Sequence, residues 1–273
     1  MVTTIIIITD LDGTLLHPVS YSFEEAVVAL EEVYKANIPV VLCSSKTKAE
    51  IEVYRRQMNN RDPFISENGG GIFIPEGYFA NQEKESRDDG YTVTILGKPY
   101  SVIRRIFSDI RDRTGIRVRG FGDMSPEDVA RLTGMQLSDA ILSKKRDFDE
   151  PFIFEEGESR VVEFLNAIED TGLHWTKGRF YHILGDNDKG KAVRILMDYY
   201  KRDQKGIVTI GLGDSFNDLP LLQNVDYPVL VQREDGSYEE KIKLQNIIKA
   251  DGIGPSGWNR EVIKLVRRIR GNI

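Results

Sequence analysis

One cysteine, three histidines and no long apolar run: the chemistry that this 273-residue chain cannot host is the first thing it declares. Cys43 alone forms no internal disulfide, and its place in the run Val40-Val41-Leu42-Cys43 marks it as a small buried hydrophobe rather than a nucleophile. His17, His174 and His182 are too scattered for a zinc site of recognisable spacing, and no chemistry is assigned to them. The longest apolar stretches, residues 5–8 and 40–43, fall far short of the ~20 residues a spanning helix needs. No signal-peptide pattern precedes them, so a cytoplasmic protein without a membrane partner is expected. Basic excess is missing too. The net charge is −6 and the pI about 5.3, with Lys and Arg interspersed among Asp and Glu, which leaves no positive field to recruit nucleic acid. Repeats and low-complexity tracts are absent.

What is present begins with Ile5-Ile6-Ile7-Ile8, followed directly by Asp10-Leu11-Asp12-Gly13-Thr14-Leu15. A strand apolar along its whole length suits a parallel sheet covered on both faces, and such sheets bind ligands outside the carboxyl ends of their strands. Asp10 and Asp12 are expected there, with Gly13 permitting a turn tight enough to aim both carboxylates at one point. Residues 22–25 have capping-box form ahead of a helix that ends near Asn37, and residues 40–43 read as a second buried strand. A capping box at Thr47-Lys48-Ala49-Glu50 opens the next helix, with Ile51, Tyr54 and Met58 inward. The strand and helix alternation resumes with a helix over 189–201 and a strand over 207–212.

Between these halves the pattern changes. It reads as a strand at 91–96, a helix presenting Ile103, Ile106, Phe107 and Ile110 that stops at Gly115, and a strand at 116–121. A short helix from Ser125-Pro126-Glu127 follows, then a strand at 152–155, a helix through Val161, Leu165 and Ile168, and strands at 173–176 and 180–184. The expected architecture is therefore α/β, a Rossmann-like parallel-sheet core formed by residues 1–86 and 186–273, with an inserted α+β cap over 87–185. Polar stretches at 81–90 and 185–187 are the expected hinges.

Four strand ends or helix starts supply polar groups: Asp10 and Asp12, Ser44 to Lys46, Lys189, and Gly213-Asp214-Ser215-Phe216-Asn217-Asp218. Moving a phosphoryl group from an ester to water needs a nucleophile in line with the leaving oxygen, a cation on the phosphate oxygens, and donors to hold them. Asp10 is the candidate nucleophile and Asp12 the candidate general acid and base. Mg²⁺ suits Asp10 and Asp214, with the backbone carbonyl of Asp12 as a further oxygen and Asp218 holding a metal-bound water. Ser44, Lys189 and Asn217 are the expected phosphate donors, and Lys46 supports them. Gly211 to Gly213 lacks the third glycine of a dinucleotide fingerprint. Asn68-Gly69-Gly70-Gly71 reads as a turn into a strand beside the site, with Asn68 counted among the substrate-facing candidates.

These residues resemble the haloacid dehalogenase (HAD) superfamily, at Asp10 to Leu15, Ser44, Lys189 and Gly213 to Asp218. Cys43-Ser44-Ser45-Lys46-Thr47, Ile65-Ser66-Glu67-Asn68-Gly69, Leu132-Thr133-Gly134-Met135, Gly178-Arg179-Phe180 and Asp188-Lys189-Gly190-Lys191 narrow the resemblance to the phosphatases acting on mannosyl-3-phosphoglycerate. That likeness implies a HAD-like fold, Mg²⁺, and hydrolysis to mannosylglycerate, a compatible solute, with the glucosyl analogue accepted by some relatives. The alternative is another sugar-phosphate phosphatase, of sucrose- or trehalose-phosphate type. A glycosylated phosphoglycerate carries a carboxylate beside its phosphate, so Arg179 is the expected cap anchor, gripping it bidentately. Thr133, Gly134 and Met135 are expected to approach the glycerate or sugar through backbone amides. A signalling receiver domain also combines paired acids, a hydroxyl and a lysine, but usually stops near half this length.

Overall fold

The computed structural model describes residues 4–80, 86–155, 157 and 159–271. Its elements run β1 (Thr4–Thr9), α1 (Val27–Lys35), β2 (Val40–Cys43), α2 (Lys48–Gln57), β3 (Phe64–Ser66), β4 (Gly71–Pro75), β5 (Ser86–Asp88), β6 (Tyr91–Ile95), α3 (Tyr100–Thr114), β7 (Val118–Gly120), α4 (Pro126–Thr133) and α5 (Leu137–Ser143). Then follow β8 (Asp149–Phe154), α6 (Val161–Glu169), β9 (His174–Lys177), β10 (Tyr181–Leu184), α7 (Lys189–Asp203), β11 (Ile207–Gly213), α8 (Leu219–Leu222), β12 (Tyr227–Gln232), β13 (Ile248–Ile253) and α9 (Pro255–Gly271).

The isoleucine run explains the larger sheet. Side chains alternate along a strand, and here both directions lead into apolar cores. Ile5 and Ile7 meet α1 and α9, while Ile6 and Ile8 meet α7 and α8, and all four are almost wholly buried. The sheet order is β13-β12-β11-β1-β2-β3-β4-β6-β5, parallel from β13 through β3 and antiparallel beyond. β1 lies between β11 and β2, so the chain winds away from it in both directions and its carboxyl end opens a crevice. The fold is α/β with a mostly parallel central sheet. Among the described residues no helix is long and apolar enough to cross a membrane.

A second, four-stranded antiparallel sheet, β7-β8-β10-β9, packs on α3 and α6 around Phe107, Phe152 and Phe164. Two sequence expectations change here. The strand expected to open the cap at 91–96 is β6, which pairs with β4 from Gly71↔Ile95 to Pro75↔Tyr91 and extends the larger sheet. Thr92 and Val93 are buried while Ile95 is exposed, and sequence pattern alone does not say which sheet such a strand joins. The capping box at Ser22 also fails to form, because the Ser22 hydroxyl accepts from Glu24 N, and the helix opens with a 3₁₀ turn over Glu24–Ala26. The Thr47 and Ser125 capping boxes form as read. The first expected hinge, 81–90, includes residues 81–85, which lie outside the described residues.

Ile7→Ala should cost about 2–5 kcal/mol, since a cavity opens in a filled core. Val28→Ala, at a position 59% exposed, should cost under about 0.5 kcal/mol. Urea titration of the two variants checks the contrast.

Candidate active site

The end of β1 is pinned from behind. Trp258 of α9 donates through Nε1 to Thr9 Oγ1 at 3.0 Å, and Thr9 donates to the Asp10 carbonyl at 2.8 Å. Asp10 N continues the pairing to Leu212 O of β11. The chain then doubles back, with Thr14 N and Leu16 N both donating to Leu11 O. Gly13 sits in this turn at φ +76°, where a Cβ would lie 2.7 Å from Asp214 Oδ2, so both conformation and space demand glycine.

Asp10, Asp214 and Asp218 each bring a carboxylate oxygen within 4.8 Å of the others. Lys189, wholly buried at the start of α7, donates to Asp10 Oδ1 and to Asp218 Oδ1, each at 2.6 Å. Burial opposes the lysine's charge, yet the two carboxylates outweigh it and hold the ammonium above its ordinary range. One ammonium does not balance three carboxylates. Burial, offset in part by Lys189 and reinforced by Asp218 and Asp12, pushes Asp10 up to about 7. Burial together with Asp218 and Asp10 drives Asp214 well above the usual carboxylate range. Oxygen donors carrying surplus negative charge are what a hard divalent cation requires, so the residues fit one.

The oxygens are not equivalent. Asp218 has both engaged, Oδ1 by Lys189 and Oδ2 by the amides of Asp214 and Ser215 at 3.1 Å. Asp214 Oδ1 accepts from Thr14 Oγ1 at 3.1 Å. Asp12 stands apart from the triad, its carboxylate ion-paired to buried Lys46 at 3.0 Å. Lys46 also reaches Glu50, and these two acids outweigh burial to keep it charged. Ser44 is fully buried at the end of β2, its Oγ accepting from Lys46 N at 3.2 Å.

A cleft of about 1200 Å³ spreads from Asp10, Asp12 and Asp214 to the smaller sheet, where Arg179, Thr133, Gly134 and Met135 line it. Arg179 donates to the Tyr21 hydroxyl at 2.7 Å and to Leu132 O at 3.5 Å, and has no carboxylate partner among the described residues. The backbone-amide expectation for 133–135 is corrected. Gly134 N closes α4 on Ala130 O, and Met135 N goes to Thr133 Oγ1 at 3.2 Å, so neither amide is free. Helix ends satisfy their own polar groups first.

Asn68 does not line the cleft. It is buried at φ +54°, and its side chain donates to Asp149 Oδ2 at 2.9 Å and accepts from Asn217 Nδ2 at 3.1 Å, tying β8 to the loop after β11. Sequence reasoning missed the network around it. Glu67 accepts from the amides of Asp147, Phe148 and Asp149 at 2.8–3.1 Å. Arg146 pairs with Asp149 and donates to Ser45 O at 3.0 Å, and His182 Nδ1 lies 2.9 Å from Asp149 Oδ2. Burial pushes Glu67 up to about 8, whereas Arg146 and His182 overcome burial to hold Asp149 below its ordinary range. A buried polar network of this kind joins sequence-distant positions and leaves no spacing to read. Tyr21 was also missed.

A family model for haloacid dehalogenase-like hydrolases matches residues 7–96 and 152–250. The chain belongs to this family. It is 47% identical over 263 residues, 96% of its length and 97% of the relative's, to a Methanococcoides burtonii protein named glucosyl-3-phosphoglycerate/mannosyl-3-phosphoglycerate phosphatase. A Persephonella marina protein of the same name is 40% identical over 97% of this chain and 98% of its own. A Pyrococcus horikoshii protein named mannosyl-3-phosphoglycerate phosphatase is 36% identical over 89% and 94%. Among solved structures, a Thermoplasma acidophilum protein superposes with a TM-score of 0.69 at 17% identity, covering 97% of this chain and 99% of its own. A sugar phosphatase of HAD subclass IIB gives 0.64 at 15% identity, covering 99% and 100%. These superpositions show the HAD fold.

Burial of Asp10 among like charges sets a pH dependence. The folded protein keeps Asp10 protonated up to about pH 7 while the unfolded chain ionises near 3.8, so folding takes up a proton between these values and stability declines as pH rises across that window. In chelator-treated protein, Asp10→Asn should raise the thermal midpoint at about pH 8, with the gain shrinking toward about pH 4. Differential scanning fluorimetry across that range checks it.

Proposed function

We propose that the protein is a Mg²⁺-dependent cytoplasmic phosphatase that hydrolyses mannosyl-3-phosphoglycerate and its glucosyl analogue to the glycosylglycerate and inorganic phosphate. The observation that carries the chemistry is the buried Asp10–Lys189–Asp218 arrangement beside Asp214. Near-full-length identity to phosphatases named for these two substrates supports their choice.

In this reading Asp10, whose Oδ1 is held by Lys189, attacks phosphorus through its other oxygen. The bond to the glycerate oxygen breaks, and that oxygen takes a proton from Asp12. Asp12 then removes a proton from water, whose oxygen attacks the aspartyl-phosphate and returns Asp10 as a free carboxylate. Lys46 fixes the orientation of Asp12 through their ion pair. Lys189, the Ser44 hydroxyl and the second N–H of Asn217 hold the phosphate oxygens. Asp10, Asp214 and the backbone carbonyl of Asp12 would hold Mg²⁺, with Asp218 supporting them, and the ion would supply neutralisation of charge on the phosphoryl group. Residues of the smaller sheet and its helices serve as the cap, and Arg179 receives the glycerate carboxylate.

Phosphate release assays test this. Both glycosyl-3-phosphoglycerates should be hydrolysed in preference to sucrose or trehalose phosphate, and EDTA should stop turnover until Mg²⁺ is restored. A preference for esters lacking the carboxylate would contradict the substrate. Asp10→Asn should abolish release, and Asp12→Asn should lower kcat by about 10²-fold or more. A near-normal rate in the latter would remove Asp12 from the proton transfers.

A further inference from the structure

Tyr21 occupies a position whose backbone does not suit it. Its φ is +55°, a region that favours glycine and that a bulky side chain enters only when its surroundings hold it there. The loop after β1 does so through a closed turn: Tyr21 N donates to His17 O at 2.9 Å, His17 N to Ser22 O at 2.8 Å, and His17 Nδ1 accepts from Val19 N and Ser20 N. Turn geometry accounts for the conformation without accounting for an aromatic residue. The side chain reaches across the cleft, where the hydroxyl donates to Thr133 O at 3.1 Å and accepts from Arg179 Nη1 at 2.7 Å. Because its one proton is engaged by a carbonyl at the end of α4, the oxygen presents lone pairs to the guanidinium. The ring's face lies 5.2 Å from Lys46 Nζ, which pairs with Asp12.

We propose that Tyr21 is a positioning residue that sets specificity for a carboxylate-bearing phosphate ester, by holding the Arg179 guanidinium from the larger-sheet side of the cleft. This deepens the proposed function and rests on its assignment of Arg179 to the substrate carboxylate. Arg179 is exposed on the turn between β9 and β10 and touches no carboxylate among the described residues, so without the phenol oxygen its guanidinium keeps a 3.5 Å contact to Leu132 O and the face of the Phe180 ring at 5.5 Å, neither of which fixes the direction of the fork as a 2.7 Å hydrogen bond does. A fork fixed before the ligand arrives loses less freedom on binding. The contact also joins the two parts of the molecule beside Asp12, so the same hydroxyl ties carboxylate recognition to the end of the cleft where the leaving oxygen is protonated.

The experiment compares kcat and KM on mannosyl-3-phosphoglycerate and on p-nitrophenyl phosphate, which has no carboxylate, for wild type, Tyr21→Phe, Arg179→Gln and the double variant. Tyr21→Phe keeps the ring over Lys46 and removes only the oxygen. It should lower the ratio of kcat/KM between the two substrates about tenfold, the change residing in KM for the carboxylate substrate, as expected for one charge-assisted hydrogen bond. Adding Tyr21→Phe to Arg179→Gln should change that ratio by less than about twofold, because the two residues act as one unit. A ratio that Tyr21→Phe leaves within about twofold of a high wild-type value, or losses that add in the double variant, would overturn this inference alone. A wild type with no preference for the carboxylate substrate would overturn the substrate reading and this inference with it. Should Tyr21→Phe not fold, Tyr21→Gly, which suits the backbone, is read against the same criteria.

Discussion

Three carboxylates around one buried ammonium form the constraint on which the rest of the structure turns. Lys189 can satisfy Asp10 and Asp218 together only because α7 starts where the ends of β1 and β11 converge, and a parallel sheet with β1 between β11 and β2 brings those ends together. The surplus negative charge is then built in. Burial, reinforced by that charge, raises Asp10 and Asp214, and the donor set suits a divalent cation. Remote features follow from the same need: Trp258 and Thr9 hold the Asp10 carbonyl, and Gly13 clears space for Asp214.

A second polar network governs how the two sheets meet. Glu67 gathers three consecutive amides at the start of β8, and Gly70 and Gly97 leave room for Phe148, where a Cβ on either would fall 2.4–2.6 Å from the Phe148 Cβ. Asn68 carries the connection onward to Asn217, one residue from Asp218. Buried polar groups satisfied this fully give a defined geometry and a large penalty for partial disruption. The smaller sheet is thus anchored rigidly near Asp149 and lightly near Tyr21, where two hydrogen bonds span the open side of the cleft.

Much of this was legible in the sequence because it is local. The isoleucine run, the Asp10 and Asp12 spacing, the Thr47 capping box and the Lys189 helix start each depend on residues within a turn or two, where strand alternation, glycine conformations and cap chemistry operate. Asp10, Asp214, Asp218 and Lys189 do converge. What sequence did not disclose is what tertiary packing decides. Membership of β6 in the larger sheet depends on a partner strand about twenty residues earlier. The Gly134 and Met135 amides were misjudged because the end of α4 uses them first. Glu67, Arg146, Asp149 and His182 have no meaningful spacing until the fold assembles them, and Tyr21 betrays itself only through its dihedral and its partners across the cleft.

In the proposed reaction Asp10, steadied by Lys189 beside Asp214, accepts the phosphoryl group. Beryllofluoride mimics such an acyl phosphate, so fluorine NMR of the protein with beryllofluoride and Mg²⁺ reports on that acceptor. A slowly exchanging bound signal that requires Mg²⁺ and disappears in Asp10→Ala is the predicted result. A bound signal that survives Asp10→Ala, or none in the wild type at saturating reagent, would contradict it.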